Sequence, residues 1–231
     1  MPERGGRVGR GFLKENKRLA AAVAVVLIAA TALTIYREQA LRFEAEAVRL
    51  EELLAVEPGM TVAEIGAGRG EMALRMAQRV GPTGHVFINE LNPERLEDIR
   101  GAMADAGLQN VTIIEGSEDD VNLPEACCDA IYMRRVYHHI THPKALNASL
   151  HRALRPGGRL AVIDFTPDDA IFFVRWFAGR PEGVPQDRDG HGVPIRIVSA
   201  EMAQAGFRQE RVIADWAGGP FFPHFCVLFQ R

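Results

Sequence analysis

Thr61-Val62-Ala63-Glu64-Ile65-Gly66-Ala67-Gly68-Arg69-Gly70-Glu71 is the stretch that decides the fold. Val62, Ala63 and Ile65 read as a buried strand, the three glycines follow on alternate positions, and Met72-Ala73-Leu74-Arg75-Met76-Ala77-Gln78 opens a helix. A strand that runs through glycines into a helix lets the backbone approach a ligand closely. It also aims the unpaired N–H groups of the helix start at that ligand. The dinucleotide fingerprint wants glycine at its sixth position, where this chain has Glu71. That departure argues against a nicotinamide dinucleotide and for another adenosine cofactor.

Outward from this stretch, strand and helix patterns alternate. Strands are expected at 61–65, 84–89, 111–114, 128–133 and 158–164, and helices at 70–80, 93–106 and 143–155. That rhythm predicts a parallel sheet with helices on both faces. Gly81-Pro82-Thr83-Gly84 and Arg155-Pro156-Gly157-Gly158 punctuate it. Residues 166–194, with Trp176 and several prolines and glycines, break the rhythm and read as an insertion over the site. A helix at 198–205, closed by Gly206, and strands at 210–215 and 225–229 complete the chain.

The ordered set of segments resembles the class I S-adenosylmethionine (SAM) methyltransferases from about Leu50 to Arg231. The glycine loop carries the resemblance together with His85-Val86-Phe87-Ile88-Asn89-Glu90 and Asn110-Val111-Thr112-Ile113-Ile114-Glu115-Gly116. Cys128-Asp129-Ala130-Ile131-Tyr132-Met133, Leu154 to Leu160 and Ala205-Gly206-Phe207 extend it. The resemblance implies a doubly wound, mostly parallel, seven-stranded Rossmann-like α/β sheet with an antiparallel edge, and SAM as cofactor. It also implies a set of cofactor contacts. Gly66, Ala67, Gly68 and Gly70 would form the loop beneath the methionine part, and Glu64 would orient that loop and reach the ammonium. Glu90, at the end of the second strand, would accept from both ribose hydroxyls. Many relatives place Asp after the glycine that ends the third strand, where this chain has Ser117. Ser117, Glu118 or Asp119 would then meet the adenine. Arg134 matches a position at the methionine end.

Methyl transfer needs alignment more than a nucleophile, and a base matters only where the acceptor must lose a proton. His138 and His139 follow the fourth strand, where a neutral imidazole can take a proton. They are the catalytic candidates, with fold-level packing as the competing role, and Asp164 is a second candidate base. His138, His139 and His142 as metal ligands are set aside, because no Cys or acid stands at ligand spacing and Pro143 would disrupt a helix. No metal is expected. Asn147-Ala148-Ser149 is a glycosylation sequon placed mid-helix. Cys127, Cys128 and Cys226 form neither a disulfide framework nor a C-x-x-C pattern.

The chain has 231 residues, 47% hydrophobic and 25% charged, which fits one globular domain plus an appendage. Residues 1–18 form a basic leader of net charge +4, and the chain beyond residue 36 carries −7. A domain of that sign is poorly suited to nucleic acid, which requires phosphate-neutralising cations. Leu19 to Tyr36 is free of charge, and seven of its 18 residues are Ala. As a helix it spans about 27 Å, near the about 30 Å of a bilayer core. A membrane anchor, a cleaved signal peptide ending near Ala30-Thr31-Ala32 and a buried helix are the three readings. Residues 37–57 would link this segment to a domain at 58–231, with Pro58-Gly59 stopping the helix. Six cations precede the apolar run and Arg37, Arg42 and Arg49 follow it, which directs the N-terminus to the cytosol. The need for SAM favours a cytosolic domain instead, and the sequence leaves orientation, like oligomeric state, open. The expected activity is methyl transfer to a small-molecule or lipid-like acceptor, and the alternative is an inactive SAM-binding or scaffolding protein at the membrane.

Overall fold

The computed structural model describes residues 8–166, 192–219 and 222–231, with side chains from Val23 onward except at residues 218, 219 and 222. The chain forms two units, Met1–Ala45 and Glu46–Arg231. Helix α1 (Val8–Leu54) supplies the described part of the first, and its final turns belong to the second. The uncharged run forms helix without interruption, and the Thr34 hydroxyl is satisfied by donating to the Ala30 carbonyl at 2.9 Å. Val25, Leu27, Ile28 and Tyr36 are between 61% and 70% exposed. By length and composition the helix is apolar and long enough to cross a membrane.

The second unit is built on one seven-stranded sheet in the order β3-β2-β1-β4-β5-β7-β6. Its strands are β1 (Thr61–Ile65), β2 (His85–Glu90), β3 (Val111–Glu115), β4 (Cys128–Arg134), β5 (Leu154–Asp164), β6 (Arg208–Gly219) and β7 (Phe222–Gln230). The first five run parallel, β7 is antiparallel to β5, and β6 is antiparallel to β7. Helices α2 (Glu71–Val80), α3 (Pro93–Asp105), α4 (Pro143–Ala153) and α5 (Ile195–Gln204) accompany the strands. Strands β1 and β4, covered on both faces, bury Val62, Ala63, Ile131 and Met133 completely or nearly so. Helix α2 repeats the logic at helical period, burying Met72, Ala73, Met76, Ala77 and Val80. Helix α3 starts where the Asn92 side chain accepts from the amides of Glu94 and Arg95, with Pro93 following in the first turn. The chain order reverses between β1 and β4, so their carboxyl ends open the crevice where ligands of such sheets sit.

Several boundaries differ from expectation for physical reasons. Helix α1 ends at Leu54 because Ala55 takes a left-handed conformation (φ +52°), ahead of Pro58-Gly59. Pro143 does not disrupt a helix; it opens α4, where its missing N–H costs nothing. Strand β5 begins at Leu154, yet its pairing with β4 jumps from Leu154 to Arg159, so Arg155–Gly158 still interrupts the ladder. Helix α5 starts at Ile195, just after Pro194, three residues earlier than its apolar pattern suggested. Asn147 and Ser149 are buried on α4, which removes the sequon as a glycan acceptor. Most of the insertion expected over the site, residues 167–191, lies outside the described residues, as do residues 1–7 of the basic leader.

Candidate active site

The loop between β1 and α2 turns on one carbonyl. The amides of Gly66 and Ala67 both donate to the Asn89 carbonyl, at 2.9 and 3.0 Å, folding the chain back over the end of β2. Gly66, Gly68 and Gly70 all have left-handed φ angles, +71°, +61° and +74°. At Gly66 a Cβ would come within 2.5 Å of Val136, so packing alone demands glycine there. At Gly68 nothing lies within 4 Å of that position. The backbone at Gly68 therefore faces open space, with glycine required by its φ.

Glu90 ties the loop to the sheet. Its Oε2 accepts from the Gly68 amide at 2.7 Å, and its Oε1 accepts from the amides of Leu91 and Asn92 at 2.9 and 3.1 Å. The residue is 5% exposed, and Arg95 stands 3.9 Å from Oε2. Three backbone donors fix this carboxylate, so it presents its acceptor edge without reorganisation. Beside it lies a cleft of about 160 Å³, lined by residues that include Ile65, Asn89, Leu91, Met133 and Leu146. Ser117 and Glu118 also line the cleft. The Ser117 hydroxyl donates to the Asp119 carboxylate at 2.8 Å and accepts from the Asp120 amide at 3.0 Å, closing its own turn. Glu118 receives the Thr141 hydroxyl at 2.9 Å.

Behind the loop lies a buried charge group. Glu64 is 2% exposed, and one of its carboxylate oxygens, like the Tyr132 hydroxyl beside it in the β1–β4 register, has no hydrogen-bond partner. Burial raises its pKa to about 7, against the opposing charge of Arg134. Arg134 is paired with Glu46 from the end of α1, Nη2 to Oε2 at 2.7 Å and Nε to Oε1 at 3.4 Å. The Trp216 indole N–H donates to the same carboxylate at 3.2 Å. Burial pushes the Glu46 pKa up, but the Arg134 bonds and charge outweigh this and hold it below the usual value.

After β4 the chain passes Arg135, left-handed at φ +56°, into a short 3-10 turn at Tyr137–His139. His138 is buried, and Asp164, at the end of β5, is fully buried. Asp164 Oδ2 accepts from the His138 amide at 3.0 Å, and its Oδ1 lies 2.8 Å from His138 Nδ1. The rings of His138 and His139 are 3.9 Å apart, and His139 lines the cleft. His138 also packs against Phe165, with ring centres 4.9 Å apart. His142 sits outside this group, 3.5 Å from Glu118 and largely exposed. Among the described residues, no three His, Cys, Asp or Glu side chains are grouped to hold a metal ion.

The residues present fit SAM. The orphaned Glu64 oxygen waits behind the loop, open space fronts Gly68, and a fixed carboxylate stands at Glu90. Glu64, Gly66, Ala67, Gly68, Gly70, Glu90, Ser117 and Glu118 gather at the carboxyl ends of β1, β2 and β3. Arg134, at the end of β4, is engaged by Glu46. Sequence reasoning missed Glu46, whose charge stands among many others on a helix, and Asn89, which its neighbour Glu90 overshadowed. Nor did the sequence disclose the contact of His138 with Asp164, 26 positions away.

Residues 62–158 match the family described as "Methyltransferase domain". The ubiquinone/menaquinone biosynthesis C-methyltransferase UbiE of Ectopseudomonas mendocina is 32% identical over 116 residues, 50% of this chain and 45% of that protein. The UbiE of Bordetella parapertussis is 33% identical over 112 residues, 48% and 43% of the two chains. The match thus spans somewhat less than half the length of these relatives. A SAM-dependent methyltransferase from Aquifex aeolicus shares the fold, with a TM-score of 0.65 at 22% identity over 79% of this chain and 88% of that one. The geranyl diphosphate C-methyltransferase of Streptomyces coelicolor A3(2) does so with a TM-score of 0.64 at 14% identity, over 81% and 80%.

Proposed function

We propose that this chain, which belongs to the class I SAM-dependent methyltransferases, methylates a small, lipid-like acceptor by in-line displacement while residues 19–36 hold it in a membrane. The observation that carries the cofactor half is the bond from the Gly68 amide to the Glu90 carboxylate. It locks the glycine loop against the residue suited to a ribose, before any ligand arrives. Bound there, SAM supplies an electrophilic methyl carbon on a sulfonium whose sulfur departs as a neutral thioether.

The chain's residues have three tasks. Glu90 accepts from the ribose hydroxyls through the lone pairs its backbone donors leave available. Glu64 receives an ammonium group, directly or through one water, and its pKa of about 7 falls as that charge arrives. Ser117 or Glu118 meets the adenine edge, with Glu118 the freer acceptor because Ser117 is committed to its turn. Arg134 acts at the methionine end through its pairing with Glu46. His138 and His139 flank the acceptor, and alignment supplies most of the acceleration.

The lipid-like acceptor rests on the exposed apolar helix, because a membrane enzyme meets membrane lipids at high local concentration. Two of the similar proteins, named for quinone biosynthesis and for geranyl diphosphate, work on molecules of that character. The test is calorimetry of the full-length chain in detergent micelles with S-adenosylhomocysteine, then incubation of membranes with methyl-labelled SAM. Binding followed by label in the organic extract supports the reading. Absence of binding refutes it, and binding with no transfer to lipid or to any small acceptor favours the inactive scaffold.

A further inference from the structure

Asp164 is more than a brace for the turn that carries His138. A brace needs one acceptor for the His138 amide, and Oδ2 provides it at 3.0 Å. The second oxygen is engaged separately, receiving the Phe165 amide at 2.9 Å and facing His138 Nδ1 at 2.8 Å. With both carboxylate oxygens acting as acceptors for backbone donors, the hydrogen in the Nδ1···Oδ1 contact belongs to the ring. A neutral ring that carries its hydrogen on Nδ1 has a bare lone pair on Nε2. No described residue bonds Nε2, while the ring itself is pinned between His139 and Phe165. The pair stands at the carboxyl ends of β4 and β5, beside the cleft that His139 lines.

We propose that Asp164 is the positioning residue that holds His138 as its Nδ1–H tautomer, making Nε2 a proton acceptor, and that the methyl acceptor is therefore one that surrenders an O–H or C–H proton. The inference rests on the methyl-transfer reading above and narrows it. The acceptor's O–H or C–H bond breaks, its proton goes to Nε2, and its electron pair forms the new bond to the methyl carbon. The pair of the old carbon–sulfur bond stays on sulfur. The imidazolium so formed is stabilised by the Asp164 carboxylate and returns its proton to water. Tertiary amines and thioethers, which have no such proton, are excluded as acceptors.

The decisive measurement is ring nitrogen NMR on the full-length chain in micelles with ¹⁵N-labelled histidine, His138 being assigned by its loss in His138→Gln. The wild type is expected to show His138 protonated on Nδ1. In Asp164→Asn the carboxamide oxygen can still take the His138 amide, so the turn keeps its brace. Its NH₂ group then faces Nδ1 as a donor and drives the ring to the Nε2–H form. Turnover of a labelled phenol or hydroquinone should fall about 10²–10⁴-fold in His138→Gln, the usual worth of a general base. The Kd for S-adenosylhomocysteine should stay within twofold in both variants. An Nε2–H ring in the wild type, an unchanged tautomer in Asp164→Asn, or full turnover in His138→Gln would overturn the proposal. The wild-type spectrum decides even if Asp164→Asn does not fold. Failure of the wild type to bind S-adenosylhomocysteine would instead defeat the methyl-transfer reading and leave the tautomer result standing.

Discussion

Replacing Glu90 with Ala tests the cofactor site most directly. The carboxylate is nine-tenths or more buried and accepts three backbone N–H groups. The amides of Leu91 and Asn92 lie in an exposed turn, where water can replace the lost acceptor at little cost. The Gly68 amide is different, because its bond holds the ligand-facing loop to β2. A ligand then loses a charge-assisted partner and meets a loop that must be ordered on binding. Charge-assisted bonds contribute about 1.5–3 kcal/mol, so the Kd for S-adenosylhomocysteine should rise roughly 10- to 150-fold. Calorimetry reads this, with circular dichroism confirming a folded chain. A folded Glu90→Ala variant whose affinity stays within twofold of wild type would refute the ribose assignment and the preorganisation argument with it.

Gly68→Val should abolish binding of the same ligand, because its φ of +61° suits only glycine and the new side chain would fill the open face; binding within a few-fold would move the cradle elsewhere. Glu64→Gln should make the ligand-free protein more tolerant of alkaline pH. Its folded pKa of about 7 lies above the ordinary 4.5, so Glu64 contributes stability below pH 4.5 that is lost as pH rises through 7. The loss is about 3 kcal/mol, and urea unfolding from pH 4.5 to 8 should show a shallower decline in the variant. Glu46→Ala removes the carboxylate paired with the largely buried Arg134 guanidinium and should cost about 3 kcal/mol; Glu46→Ala combined with Arg134→Met should recover part of it, and equal losses in both would remove the ion pair from the account. If residues 19–36 span a membrane, the full chain will resist carbonate and high-salt washes, whereas salt release would indicate attachment through the basic leader alone.

The loop and its flanks were legible because each local signal agreed with the next. Apolar β1 residues, alternate glycines and the apolar period of α2 admit one arrangement, and the structure has it from Thr61 to Val80. The same agreement located β2, β3 and β4 to within a residue. Legibility failed where the answer lay in pairing across the chain. Nothing local to Glu46 distinguishes it from Glu44 or Glu51, and only the fold brings it to Arg134. Asp164 and His138 were both visible as titratable residues near strand ends, but their contact depends on β4 lying beside β5. Ser117 is visible in the sequence as a departure from the usual acid, while its role in closing the turn through Asp119 and Asp120 emerges only from the fold of that turn.

The final turns of α1 also set where the protein can be taken apart. Ala47, Leu50 and Leu54 are buried in the second unit, and Glu51 reaches Arg75 and Arg79 of α2 at 3.2 and 3.3 Å. The helix thus changes character along its length, uncharged over residues 19–36, charged again from Arg37, and part of the enzyme core from Glu46. A graft that swaps the leading segment for another membrane helix, or for a solubility tag, has its natural joint at Ala45. A joint at residue 57, where the sequence alone would place the edge of the domain, would amputate part of the core.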